Sequence, residues 1–265
     1  MPTPSHSSRL SAWLSAILLP LGSALFVTGG GQHPRASTAF GVVGTPEFYR
    51  TFADHIHHQA NWVPIHALIL IGPLLWALGS PRRLPWGHDG IATADDGTPS
   101  QIVERLASRA LVLGASLWAV VFVLDGFVAP QIANLVASAA PADLSATLAV
   151  FRSNQVMVIS LGLVSWILIG LAMALFGTAM VVRAKLLTGR GALGVAGIVV
   201  GLWPVYATIT GEFNPGPFTS PLWNVTALSS ALWFAAFGIS TLVRRERTLA
   251  PDAARQSAAT LAHLT

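Results

Sequence analysis

The chain has 265 residues, 53% of them hydrophobic and only 10% charged, and its mean hydropathy of +0.62 excludes an ordinary soluble domain in favour of a single helical membrane domain. The formal net charge is +4, but the basic residues flank apolar runs and form no separate basic domain, which excludes nucleic acid as a partner. With no cysteine, disulfides, thiolate nucleophiles, cysteine zinc sites, iron–sulfur clusters and covalent c-type haem are excluded as well.

In chain order, the first apolar run covers 10–28, follows Arg9 and contains Pro20 and Gly22. It is longer than the roughly 7–15 residue core of a signal peptide and no small-x-small cleavage site follows, so it reads as a retained span. Gly29-Gly30-Gly31-Gln32-His33-Pro34 then leaves the membrane. His33 reads as a loop or capping histidine that the following proline holds over the helix ends.

Residues 45–70, TPEFYRTFADHIHHQANWVPIHALIL, carry His55, His57, His58 and His66, four of the eight histidines. Thr45-Pro46-Glu47 is a helix start: a hydroxyl to cap free N–H groups, a proline that needs no partner, and a carboxylate at the positive helix end. A short amphipathic helix is predicted to follow. Asn61 is predicted to cap the next helix, with Pro64 in its first turn and Trp62 at the interface with its N–H wet. That helix, the second span at 62–79, carries His66 about 7 Å inward of Asn61, where an imidazole needs a hydrogen-bonding partner.

Pro81, Arg82 and Arg83 close this span. The loop to Thr98 contains His88, Asp89, Asp95 and Asp96, which lack the ligand periodicity of a calcium loop and read as a solvated linker. Thr98-Pro99 restarts a helix that passes Glu104, Arg105 and Arg109 into the third span, 110–128, with Asp125 inside its outer end. A carboxylate at that depth is expensive unless paired or protonated and marks a functional position by default. Residues 130–152 are mildly amphipathic. The fourth span is 156–182, the fifth 191–211 with a kink at Trp203-Pro204, and the sixth 221–243; a basic and then alanine-rich tail, 244–265, follows.

The charges orient these spans. Arg9, Arg82, Arg83, Arg105, Arg109, Arg183, Lys185, Arg190, Arg244, Arg245, Arg247 and Arg255 fall on one side and only Arg35, Arg50 and Arg152 on the other. The twelve-to-three split predicts cytoplasmic termini in a bacterial inner membrane.

On this topology His33, the His55 to His66 stretch, Asp125, Gln131, Asn134, Arg152, Asn154, Gln155, Glu212, Asn214 and Asn224 fall towards the outer face, and of these His33, His66, Asp125, Asn154, Glu212 and Asn224 make the candidate ligand pocket. His66 and Asp125 lie at similar depth. They form a mutually satisfying structural pair, a proton- or substrate-handling pair with His66 as acid or base, or part of a metal or haem site. His55 and His58, at i and i+3, are further candidate metal ligands beside His66, though two imidazoles make an incomplete site. On a continuous helix His55, His58, Trp62 and His66 would share one face. The His55-Ile56-His57-His58 run falls short of the several histidine boxes of membrane desaturases, and a bis-histidine haem lacks a second axial ligand unless His33 folds inward. Hydrolase-elbow, phosphate-loop and dinucleotide signatures are absent. Gly162, Gly170, Ala174 and Gly177, with Gly191, Gly194, Gly197 and Gly201, are read as close-packing positions. Trp13, Trp76, Trp118, Trp166, Trp203, Trp223 and Trp233 are read as anchors and filler.

These landmarks, LLPLGSALFVTGGGQHP, NWVPIHALILIGPLLWALG, VVFVLDGFVAP and LWFAAFGISTLVRR, resemble those of a broad group of uncharacterised small bacterial multi-pass membrane proteins of the domain-of-unknown-function type. The resemblance implies a six-helix bundle with His33, His66 and Asp125 at recurring positions, and it supplies no activity. The expectation is therefore an all-α, six-helix integral membrane bundle in contact with the lipid bilayer. Its outward-facing His/Asp pocket would take a small ligand, lipid headgroup or metal. The competing expectations are an accessory subunit that binds a larger membrane complex and a membrane-embedded enzyme using His66 and Asp125.

Overall fold

A computed structural model describes residues 6–33, 40–80, 98–184, 188–211 and 222–241, with side chains from Trp13 onward. Among the described residues there is no strand. The helices are α1 (His6–Gln32), α2 (Pro46–His58), α3 (Trp62–Gly79), α4 (Pro99–Phe122), α5 (Ala129–Ser138), α6 (Leu144–Arg183), α7 (Gly189–Ile209) and α8 (Leu222–Thr241). Six helical stretches are long and apolar enough to cross a membrane, with α4, a π-helical turn and α5 forming one of 40 residues. The protein is thus a multi-pass membrane protein by length and composition. Its exposed surface agrees: Leu113, Val199, Leu232 and Ile239 are all more than half exposed on the spans, which water would not tolerate and lipid does.

Glycine decides how closely the helices approach. A Cβ at Gly170 would collide with the Gly201 carbonyl, and one at Gly177 with the Gly194 carbonyl, so α6 and α7 meet backbone to backbone. Gly22 and Gly72 do the same for α1 and α3. The tryptophans are core more than anchor. Trp76 and Trp166 are fully buried, Trp118 and Trp233 nearly so, and the Trp233 Nε1–H donates to the Leu193 carbonyl at 2.9 Å.

At one end, α2 and α5 form a collar with its own apolar core: Phe48, Tyr49, Ala53 and Ile56 pack on Ile132, Ala133, Val136 and Phe151. As read from sequence, the Thr45 hydroxyl accepts from the Phe48 N–H at 3.2 Å and opens α2. The side chain of Asn61, by contrast, caps nothing; its Oδ1 instead accepts from Gln59 Nε2 at 2.5 Å. The chain turns at 59–61, so α2 and α3 are separate helices. As the helix start read at Asn61 implies, His55 and His58 lie on a different helix from Trp62 and His66, so the four share no continuous face. Trp62 also departs from the interfacial, wet position expected of it: it is 2% exposed, because the collar covers it.

At the opposite end, Arg183 closes α6 on α4. Its Nη2 donates to Glu104 Oε2 at 3.0 Å, its Nη1 to Glu104 Oε1, and its Nε to Ser100 Oγ at 2.9 Å. This bidentate fork matches donors to acceptors one for one.

Candidate metal centre

The local anomaly that builds the site is the π-helical turn Val123–Val128 between α4 and α5. Pro130 has no N–H, and in an α-helix its ring would press on the carbonyl of Gly126, four residues back. Widening the preceding turn relieves that conflict, and such turns recur at functional sites. The widened turn leaves carbonyls in need of donors. The Ala129 N–H and the Asn154 Nδ2, the latter at 3.3 Å, both reach the Leu124 carbonyl, and the Trp62 Nε1–H donates to the Asp125 carbonyl at 2.7 Å. Asp125 is thereby aimed at α3. Gly126 permits the approach, because a Cβ there would lie 2.8 Å from the His66 Cβ.

His66 is completely buried, and Asp125 is 4% exposed. The His66 Nδ1–H donates to the Trp62 carbonyl at 2.7 Å, which fixes the proton on Nδ1 because a carbonyl only accepts. Its Nε2 therefore faces the remaining two groups. Asp125 Oδ2 lies 3.1 Å away, and His33 Nε2 lies 3.2 Å away. His33 Nε2 is also 4.0 Å from Asp125 Oδ2. Three potential ligand atoms converge from the end of α1, the first turns of α3 and the π turn; among the described residues this is the one such group.

Aromatic walls enclose it. The Trp62 ring lies 4.4 Å from that of His66 and 5.5 Å from that of His33, and Phe122 lies 5.5 Å from His66 on the inner side. Beneath, Trp118 contacts Phe122 and Trp166, making an apolar floor between the centre and the bundle's middle. Only the His33 side chain, 16% exposed, reaches the surface.

The proton inventory is short. If His66 is neutral, its Nε2 lone pair points at a carboxylate, two acceptors in contact. A proton on His66 Nε2 repairs that contact, and one on His33 Nε2 suits a neutral His66. No assignment directs a full hydrogen bond along both short edges, because both end on His66 Nε2, which carries either one proton or one lone pair. One cation between the three atoms satisfies all of them. For zinc at its usual 2.0–2.1 Å bond lengths, neighbouring ligand atoms of a tetrahedron stand about 3.3 Å apart. Two observed edges of 3.1 and 3.2 Å fit that figure, and the 4.0 Å edge is open by a fraction of an ångström. A histidine anchored through its other nitrogen to a carbonyl is the usual outer support of a metal ligand. Haem fits poorly. Axial nitrogens on opposite faces of a porphyrin stand about 4 Å apart with the ring between them, and here the two Nε2 atoms face one another at 3.2 Å inside aromatic walls.

The other sequence candidates fall elsewhere. Asn154 supports the π turn through the Leu124 carbonyl and is not one of the three converging groups. Asn224 is exposed on α8, and Glu212 lies outside the described residues. His55 packs on Phe40, His57 Nδ1 donates to Asn134 Oδ1 at 2.6 Å, and the His58 Nδ1–H donates to the Asp54 carbonyl at 2.9 Å. None of these three joins His66. A groove of about 550 Å³ between α2 and α5, lined in part by Arg50, Asp54, His57 and His58, contains none of the triad. His33, named for the pocket but read first as a loop or capping histidine, is brought to the site by Gly29, where a Cβ would strike Ile69 and hold the end of α1 away from α3. Gln155, placed by the sequence among the outer-face polar residues but not among the ligand candidates, is 4% exposed with an unpartnered Nε2.

No family model, no curated protein and no solved structure matches the chain.

Proposed function

We propose that this chain is a bacterial inner-membrane protein with both termini cytoplasmic whose outward-facing His33, His66 and Asp125 bind a divalent transition-metal ion, zinc by ligand type and spacing. The observation that carries the reading is the convergence of His33 Nε2, His66 Nε2 and Asp125 Oδ2 on one point, with the His66 Nδ1–H tied to the Trp62 carbonyl. Imidazole and carboxylate ligands suit zinc and iron, and the absence of sulfur ligands disfavours copper(I). The orientation rests on charge. Arg105, Arg109, Arg183 and Arg190 lie at the end opposite the triad, and of the basic residues described only Arg50 and Arg152 lie at its own end. This reading leaves the chain with the small multi-pass proteins that its landmarks resemble.

Elemental analysis of the detergent-purified protein tests it. The wild type should carry stoichiometric zinc, and His33→Ala, His66→Ala and Asp125→Asn should each lose most of it while keeping their helical circular dichroism. Metal that survives all three substitutions contradicts the assignment. A second reading has its own support in the 3.1 Å contact of His66 Nε2 with Asp125 Oδ2: a metal-free proton-handling pair. It predicts a wild type without zinc in which Asp125→Asn still abolishes function.

A further inference from the structure

We infer that the metal centre is open: the ion keeps a coordination position for an oxygen-donor ligand, water at rest and a small carboxylate-like anion in exchange, with the Gln155 amide donating a hydrogen bond to the bound oxygen. The inference rests on the metal reading above and goes beyond it in assigning an accessible position, a ligand class and a further binding residue.

Ligand number is the first argument. Structural zinc sites are closed by four protein ligands, whereas sites that act on a ligand have three and leave the fourth position to water or substrate. Among the described residues the group contains two imidazoles and one carboxylate. The second argument is two buried polar atoms without partners. Asp125 Oδ1 and Gln155 Nε2 are both buried without a hydrogen bond. The indole nitrogens of Trp118 and Trp166 in the apolar core share that condition, but a carboxylate oxygen beside the triad and an amide on the helix that supports the π turn are strong hydrogen-bonding groups whose burial calls for a partner. The position of Gln155 follows from its helix. Its neighbour Asn154 reaches the Leu124 carbonyl, the residue before Asp125. Gln155 also shares a face of α6 with Phe151, Val158 and Gly162, at spacings of four, three and seven. Phe151 packs on Phe52 of α2, and Gly162 lies 3.6 Å from the Trp118 ring if given a Cβ, so that face looks into the layer containing Phe122, His66 and Asp125.

An acceptor-rich metal shell beside a buried amide donor selects a ligand with an oxygen bearing negative charge. That oxygen binds the ion and accepts from Gln155, while a proton or N–H on the ligand can meet Asp125 Oδ1. Size follows from the walls. Trp62 and Phe122 flank the His66 ring closely, and exposure falls from 16% at the His33 side chain to 0% at that of His66. The ligand therefore enters past His33 and is acetate- or hydroxamate-sized at the reacting end.

The test uses the full-length protein with cobalt(II) in place of zinc. Its visible absorption should shift saturably on titration with acetohydroxamate. Gln155→Leu should keep stoichiometric cobalt and weaken acetohydroxamate about tenfold or more, the usual effect of losing a buried bond to a charged group. Gln155→Glu, which places a carboxylate where the anion would sit, should abolish the response. Cobalt bound in full with a spectrum indifferent to acetohydroxamate overturns the open site and leaves the metal reading standing. Unaltered affinity in both Gln155 variants overturns the role of Gln155. A protein that takes up no cobalt or zinc fails at the metal reading itself.

Discussion

The two ends of α4 each tie it to a neighbour through polar groups, and the two ties are built on opposite principles. At the Arg183 end, a guanidinium meets a carboxylate and a hydroxyl with every hydrogen bond directed, and both charged side chains are about one-third exposed. At the Asp125 end, two imidazoles and a carboxylate converge in near-complete burial, and both short contacts end on the single nitrogen His66 Nε2. A balanced, partly solvated cluster is explained by the helices it joins. An unbalanced buried one asks for a further cation, and the surrounding structure spends a π turn, a glycine and a tryptophan N–H to hold it together.

Substitutions that separate the two ends break or sharpen this contrast. The largest effect is expected from His66→Ala, which removes the ligand shared by both short contacts and should empty the centre of metal, read by elemental analysis. Next is Gly126→Ala. Its Cβ would meet the His66 Cβ at 2.8 Å, a rigid neighbour, so α3 and the π turn must part, at a cost of about 1–3 kcal/mol by overpacking. Thermal unfolding in detergent and zinc affinity should fall together. Trp62→Phe preserves the aromatic wall but orphans the Asp125 carbonyl; about 1–2 kcal/mol of stability should go, with weaker zinc binding because the π turn is less well held. The smallest effect belongs to the other end. Glu104→Gln should cost less than about 1 kcal/mol, as part-exposed ion pairs do, and leave zinc content unchanged. A loss of zinc in Glu104→Gln would erase the distinction between the ends.

What the sequence disclosed follows from how far each feature depends on local chemistry. Six apolar runs announce themselves because a bilayer demands about 20 apolar residues in succession. Each of the six matching helices in fact runs on the same stretch of chain, some longer, as Leu144–Arg183 does. The cap at Thr45 and the restart at Thr98, whose N–H reaches Gln101 Oε1 at 3.3 Å, are local and were legible. His66 and Asp125 stood out because a polar group at membrane depth must find a partner. What the sequence left open was tertiary: His33 could be named for the outer pocket, but whether it caps a helix or meets His66 could not be read. His33 joins the site only because α1 packs against α3 closely enough at Gly29 to bring its end there. The effect of Pro130 on the turn before it needed the partners at Trp62 and Asn154 to be seen, and Gln155 looked like any polar residue near a helix start. The break at 59–61, which separates the HIHH run from His66, was signalled by Asn61 and Pro64, yet the cap assigned to Asn61 went to another residue's amide.

X-ray absorption at the zinc edge of the detergent-solubilised protein tests the central claim most directly. The account predicts a first shell of light nitrogen and oxygen scatterers at about 2.0–2.1 Å, with the outer-shell signature of two imidazoles that falls to one in His33→Ala. A zinc shell without imidazole, or one indifferent to the loss of His33, would contradict it.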